Sequence, residues 1–131
     1  MNLVTIKNYL DYINLFHMII IGPMFVYFGK NKENTTKWIS ELIVLLVLGI
    51  FYSVHFPQNT KNIRFTDNYW NIISYLHYII IVPFLLYLAY YHKQNIKFSK
   101  NTYESLLIFG LTVILYHTYK LVNRNIINKN N

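Results

Sequence analysis

The sequence predicts an all-α integral membrane protein, a four-helix transmembrane bundle built from two tandem helical-hairpin repeats. The first observation behind this prediction is composition. The chain is 54% hydrophobic but only 13% charged, whereas soluble domains carry about a quarter charged residues. The second is distribution, because the apolar residues fall into four long blocks separated by connectors rich in Lys and Asn. The third is an internal repeat, which predicts the division into two hairpins.

Each apolar block is long enough to form a transmembrane helix. About 20 residues cross about 30 Å of hydrocarbon at about 1.5 Å per residue, and a backbone in lipid must satisfy its own hydrogen bonds by forming a helix. Two of the blocks, residues 42–51 and 79–88, are apolar all round, unlike the one-sided helices of a soluble bundle. The predicted spans are residues 10–28, 38–56, 70–91 and 103–122, with Tyr and Trp near their ends.

Residues 8–28 and residues 68–88 resemble one another without a gap. The most informative shared positions are an Asn-Tyr pair, a histidine and a proline: Asn8, Tyr9, His17 and Pro23 match Asn68, Tyr69, His77 and Pro83. The spans that follow agree more loosely, each with a glutamate near its start and a histidine toward its end: Glu41 with His55, and Glu104 with His117. We therefore predict a single transmembrane domain over residues 1–131. Hairpin repeat one covers about residues 8–56 and hairpin repeat two about 68–122, and we expect the polar tail, residues 123–131, to be disordered.

Composition excludes several classes of function. Without cysteine there is no disulfide, Cys-ligated zinc, iron–sulfur cluster or thiol catalysis. No nucleophile elbow, zinc-protease motif or phosphate-binding glycine loop is present either, so we predict no catalytic residues and no enzyme. The net charge of +7 lies in connectors and tail, which predicts contact with anionic lipid headgroups rather than nucleic acid. The abundance of Ile, Asn, Lys, Tyr and Phe, whose codons are AT-rich, indicates an AT-rich source genome.

A polar stripe precedes the proline in each copy of the repeat. Its members are three residues apart: Asp11, Asn14 and His17 in the first copy, and Asn71, Ser74 and His77 in the second. This spacing places each trio on one helix face. Because polar side chains in a span avoid lipid, we predict that both stripes face the bundle interior, as packing stripes or as a proton relay. Pro23 and Pro83 follow six residues after each histidine, and we predict that they kink both helices at matching depths.

Three histidines are predicted to share a layer near mid-membrane. The helix rise places His17 and His77 roughly 16 Å, and His117 roughly 21 Å, from the same membrane face. One hypothesis is haem ligation by His17 and His77, with His117 as a further cofactor-binding candidate, although glycines that would make room for a porphyrin are sparse. A second is a proton or ion path that also uses the carboxylates. A third, a transition-metal site, is disfavoured because the carboxylates lie near the membrane edges, and we predict no metal.

The preferred interpretation of these histidines is structural. Histidines that hydrogen-bond across helices to Asn14, Ser74 or tyrosine hydroxyls lock a bundle without performing chemistry. We therefore expect a small structural or interaction protein of multi-pass membrane topology, with no cofactor, and with haem binding or ion conduction as the alternative. Its expected partners are the lipid bilayer and a second copy or another membrane protein. Six Lys or Arg residues lie on each predicted side, so the positive-inside rule assigns no orientation.

Overall fold

The computed structural model of the protein describes residues 3–54 and 65–127. These residues are almost entirely helical, which confirms the predicted all-α class. The elements in chain order are α1 (Leu3–Phe16), a π-helix π1 (His17–Ile21), α2 (Gly22–Asn31), a short 3-10 helix (Lys32–Asn34), α3 (Trp38–Ser53), α4 (Phe65–Tyr75), a second π-helix π2 (Leu76–Ile81), α5 (Val82–Lys93) and α6 (Lys100–Ile127). We call α1, π1 and α2 together the first helix, and α4, π2 and α5 together the third helix.

Within residues 3–54 and 65–127, three helices are long and apolar enough to cross a membrane: Leu10–Asn34, Tyr69–Lys93 and Lys100–Asn125. They correspond to the first, third and fourth predicted spans. The helix of the second predicted span, α3, has 16 residues and so rises about 24 Å, less than the roughly 30 Å of a hydrocarbon core. The last two residues predicted for that span, His55 and Phe56, lie outside the described part of the chain. The fourth crossing therefore stays a prediction.

The helices belong to two compact units. One unit contains Met1–Thr35 and Phe98–Asn131, and within it the first helix packs against α6. The other contains Thr36–Lys97, and within it α3 packs against α5 of the third helix. The two helices that carry the repeated motif thus lie in different units, each with its own partner helix. The predicted hairpins pair the first helix with α3 and the third helix with α6, and this division stays a prediction.

Glycines bring the first helix and α6 into contact backbone to backbone. A Cβ atom added to Gly29 would lie 2.5 Å from the Leu107 nitrogen, and one added to Gly110 would lie 2.7 Å from the Gly22 oxygen. Gly22 and Gly29 are two turns apart and so share one face of the first helix. Small residues at such positions allow transmembrane helices to gain dispersion contacts along their backbones. Backbone rather than a cavity therefore fills this part of the contact.

Aliphatic and small side chains form the packed surface between α3 and α5. Four residues of each helix are buried: Ile39, Ser40, Ile43 and Val47 of α3, and Val82, Leu85, Leu88 and Ala89 of α5. Two polar contacts accompany them. The His92 Nε2 atom lies 3.2 Å from the Thr36 carbonyl oxygen, and the Tyr78 hydroxyl donates to the Val54 carbonyl. This unit is held mainly by apolar packing.

A π-helix precedes each proline of the repeat. The Gly22 N–H donates to the His17 carbonyl and the Val82 N–H to the His77 carbonyl, each five residues back. Pro23 and Pro83 then occupy the second positions of α2 and α5. In an α-helix the prolyl ring would collide with the carbonyl four residues earlier, and the wider π turn relieves that collision. Both copies therefore adopt the same local conformation, while the predicted kink at each proline stays a prediction.

One prediction about α6 is wrong in detail. Residues 123–127 of the polar tail are helical, because α6 continues to Ile127, where an ion pair of Arg124, described below, ties the last turns to the first helix. Glu104 lies near the start of α6, which begins at Lys100. It pairs with Lys100, one turn earlier, at 3.6 Å, and both side chains are largely exposed.

Candidate functional site

Polar side chains line the contact between α6 and the half of the first helix that precedes Gly22. We call this set the polar seam. It comprises Asp11, Asn14, His17 and Met18 of the first helix, and His117, Thr118 and Arg124 of α6. The predicted stripe of Asp11, Asn14 and His17 thus lies along α6. His117 of α6, the third histidine of the predicted layer, contacts that stripe.

Two histidine rings and one amide form the centre of the polar seam. The rings of His17 and His117 are stacked, with centroids 4.5 Å apart and an interplanar angle of 22°. The His117 Nδ1 atom lies 2.8 Å from Oδ1 of Asn14, whose side chain is only 4% exposed. The His17 Nδ1 atom lies 2.8 Å from the Ile13 carbonyl oxygen. The His117 ring is thus held by Asn14 and His17 of the first helix, and the His17 ring by Ile13 of its own helix and by His117 of α6.

The hydrogen-bond partners define the tautomers of the two rings. A carbonyl oxygen only accepts, so the hydrogen of a neutral His17 ring lies on Nδ1, and the amide oxygen of Asn14 implies the same for His117. In each neutral ring the lone pair then lies on Nε2. The polar seam therefore holds two histidines in one tautomer, with their rings in contact.

An ion pair lies at the end of the polar seam nearest the chain termini. The Arg124 Nη1 atom donates to Asp11 Oδ1 at 2.8 Å, and both side chains are about a quarter exposed. The sequence placed Arg124 in a disordered tail because its neighbours are polar. The informative signal was its spacing, since seven residues separate Arg124 from His117 and place both on one face of a helix.

A sulfur contact is the other feature of the polar seam that the sequence did not predict. The Thr118 hydroxyl lies 2.9 Å from the Met18 sulfur and 2.7 Å from the Ile114 carbonyl oxygen. Because thioethers are weak acceptors, the carbonyl is the stronger of the two partners. No pattern of spacing distinguishes Met18 from the apolar residues around it.

The second predicted stripe lies in the other unit and makes hydrogen bonds within its own helix. The Ser74 hydroxyl donates to the Trp70 carbonyl at 2.9 Å, and the His77 Nδ1 atom lies 2.7 Å from the Ile73 carbonyl oxygen. His77 therefore has the same tautomer as His17, imposed in the same way. Ser74 is buried, and Asn71 and His77 are half-buried. The structure brings His17 together with His117, while the pairing of His17 with His77 as ligands stays a prediction.

Two further arrangements bear on what the site can do. Within residues 3–54 and 65–127, no three His, Asp or Glu side chains lie close enough to hold a metal ion together. A shallow cavity of about 300 Å³ opens beside the ion pair, and Asp11, Tyr12, Leu15 and Leu121 line it. Its walls are mostly apolar, with the paired Asp11 carboxylate as the charged group.

No family model, curated protein or solved structure matches the chain. The polar seam is therefore interpreted from its own chemistry. Its rings, amide and charges contact one another across two helices, or contact the backbone of the helix that carries them. In a hydrocarbon environment such contacts align helices, because each polar group gains a partner only when the two helices meet in one register.

Proposed function

We propose that this chain is a small multi-pass membrane protein with a structural or interaction role, whose four helices cross a bilayer. The observation that carries the proposal is the centre of the polar seam, where His17, His117 and Asn14 contact one another. Groups used in this way hold two helices together, and their packing involves no substrate. We accordingly propose no catalytic residue and no enzymatic activity.

Two kinds of contact support a role in helix packing. The glycine contacts of Gly22, Gly29 and Gly110 supply close approach and dispersion. The polar seam supplies selectivity, because a sliding or rotated helix would leave Asn14 and the Asp11 carboxylate without their partners in lipid. In the proposed fold the short helix α3 also crosses, helped by local thinning of the bilayer, which accommodates short spans at modest cost.

The number of crossings can be tested with single cysteines, because the chain has none of its own. Cysteine placed at Asn2 or at Asn130 is labelled in sealed vesicles with a membrane-impermeant maleimide. Four crossings put both ends on one side, so we expect both variants to react or both to be protected. A cysteine at Asn34, in the predicted connector after the first span, should behave oppositely. Reaction at one terminus with protection of the other would show an odd number of crossings and overturn the four-span fold.

A second candidate function, haem binding, is favoured by one observation. The Nδ1 atoms of His17 and His77 both lie on a backbone carbonyl, which places the lone pair on Nε2, the arrangement common in metal-ligating histidines. The donor chemistry therefore fits a bis-histidine haem, which would supply electron transfer when bound. The packing fits less well, since the His117 ring covers one face of His17 and the helices touch at Gly22. For this reason we place haem second.

An absorption spectrum separates the two candidates. The protein is purified in detergent and its spectrum recorded with and without dithionite, for the parent and for His17→Ala, His77→Ala and the control His92→Ala. We expect no Soret band. A Soret band that is lost in the first two variants but kept in the control would establish haem instead.

For ion conduction, we expect proton flux into liposomes to be the same for the parent and for the variant that lacks both His17 and His77.

A further inference from the structure

The shallow cavity beside the ion pair of Asp11 and Arg124 is built in two levels. Asp11 is the second residue, and Arg124 the second-last, of the segments of the first helix and α6 that are long and apolar enough to cross a membrane. Leu15 and Leu121 line the same cavity and lie four and three residues further into those segments, or roughly 4.5–6 Å deeper. The charged edge of the cavity is therefore at the end of the two helices, and its aliphatic walls continue toward their middle.

This arrangement matches the order of groups in a phospholipid. The two segments have 25 and 26 residues and rise about 38 Å, which exceeds the roughly 30 Å of a hydrocarbon core. In a bilayer their ends therefore lie among the headgroups, while Leu15 and Leu121 lie within the hydrocarbon. The cavity volume of about 300 Å³ is at the small end for ligand sites. It thus suits part of a lipid, namely the headgroup and the start of one chain.

The charges of the cavity favour a zwitterionic headgroup. Asp11 and Arg124 neutralise one another, so an anionic ligand would have to compete with the Asp11 carboxylate for the guanidinium. A zwitterion instead presents a charge of opposite sign to each partner, its phosphate to Arg124 and its ammonium to Asp11. A guanidinium has five N–H donors and a carboxylate about four lone-pair sites. The 2.8 Å bond from Nη1 to Oδ1 is therefore one contact among several that each group can make.

The carboxylate favours a primary ammonium over a quaternary one. A carboxylate accepts hydrogen bonds, and a primary ammonium has three N–H donors, whereas the quaternary ammonium of choline has none. Quaternary ammonium groups are instead enclosed by several aromatic rings, and of the described residues that line this cavity Tyr12 is the aromatic one. A serine headgroup would bring a second carboxylate next to Asp11, and the two negative charges would repel one another. An ethanolamine headgroup meets each of these conditions.

We propose that this cavity binds one phospholipid with a primary ammonium headgroup of the ethanolamine type. Its ammonium donates to Asp11, its phosphate accepts from Arg124, and the start of one acyl chain packs on Leu15 and Leu121. The inference rests on the proposed insertion of the first helix and α6 in a bilayer. It adds a specific lipid to the proposed structural role, because each of the two helices contributes one charge and one wall to the site.

Native mass spectrometry of the full chain, purified in detergent, measures the lipid preference directly. Dioleoyl phosphatidylethanolamine, phosphatidylcholine or phosphatidylglycerol is added at equal concentration, and the fraction of protein that carries one lipid is determined. We expect the parent to bind the ethanolamine lipid several-fold more than either of the others. Asp11→Asn keeps the size of the side chain but removes its charge, and it should abolish that preference. The matched control is Glu104→Gln, since Glu104 also pairs with a basic residue but is largely exposed. The control should keep the full preference.

A second variant leaves both charges in place. Leu15→Trp puts a larger side chain where the acyl chain is proposed to pack, so it should lower binding of the ethanolamine lipid several-fold. This variant guards against a loss in Asp11→Asn that comes only from weaker pairing of the two helices, because Asp11 and Arg124 are unchanged in it.

Several outcomes would overturn the lipid site. One is equal binding of the three lipids by the parent, and another is a preference that survives both Asp11→Asn and Leu15→Trp. A preference for phosphatidylglycerol would show an anion site instead. Displacement of the lipid by an equal concentration of soluble phosphoethanolamine would show that the ligand needs no acyl chain.

Failure of the proposed four-span fold is read separately, from the labelling of cysteines at Asn2 and Asn130. Both termini on one side with no lipid preference would reject the lipid site and leave the membrane topology intact. Termini on opposite sides with the lipid preference present would reject the four-span fold and leave the lipid site intact.

Discussion

Alanine at Gly29 should weaken the packing of the first helix on α6 by about 1–3 kcal/mol, the usual cost of an overpacked contact. The added Cβ would lie 2.5 Å from the Leu107 nitrogen and 2.6 Å from the Tyr103 oxygen. These are backbone atoms, which cannot rotate aside as a side chain can, so the helices must separate. Alanine at Gly110 should act in the same way, since its Cβ would lie 2.7 Å from both the Gly22 oxygen and the Val26 nitrogen.

The measurement uses energy transfer between dyes at Tyr12→Cys and Asn125→Cys, two exposed positions in the first helix and α6. Titration of the labelled protein with SDS in mixed micelles then gives the free energy of separating the two helices. The matched control is Gly49→Ala, where the added Cβ meets nothing within 4 Å. Gly49 lies in α3, in the other unit, so we expect its replacement to leave the free energy of separating the first helix from α6 unchanged. Identical titrations for Gly29→Ala and the parent would contradict the close approach.

Alanine at His117 should cost about 1–2 kcal/mol, in the upper range for polar contacts between membrane helices. The substitution removes the ring stacked on His17 and the donor to Asn14. Asn14 is only 4% exposed, so its amide oxygen would remain in an apolar environment without that hydrogen bond. The same SDS titration measures the loss, and His92→Ala, in the other unit, is the control that should leave dye separation unchanged.

A double-mutant cycle distinguishes a specific pair from general loss of packing. If Asn14 and His117 depend on one another, Asn14→Leu combined with His117→Leu should cost less than the sum of the two single changes. Replacing both partners by apolar groups leaves no unsatisfied polar atom, whereas replacing one of them does. Strictly additive costs would show that the 2.8 Å contact contributes nothing to helix pairing.

The sequence predicted those features that depend on local spacing or on total apolar length. Steps of three residues placed Asp11, Asn14 and His17 on one face, and the structure has all three along α6. Apolar length similarly identified the three long helices. The partner of each face was not predictable, because periodicity shows which residues share a face and not which helix covers it. The contact of His17 with His117 is the clearest example.

Two other features depended on information that local composition does not carry. The polar neighbours of Arg124 suggested a tail, but the segment is helical, and Arg124 pairs with Asp11, which lies 113 residues earlier in the chain. Pro23 and Pro83 indicated a disturbed helix, but a kink and a π turn can each accommodate the prolyl ring and the absent N–H.

The π turn of the first helix sets the rotational phase between the two halves of its contact with α6. At about 100° per residue, Asn14 and Gly22 would point about 80° apart in an uninterrupted α-helix. The π segment between them holds more residues per turn, and both residues are buried toward the same partner. In the third helix, Ser74 and Val82 flank π2 at the same separation and are both buried. The π turn of the first helix therefore aligns its polar face with a close-packing face that an uninterrupted α-helix would direct elsewhere.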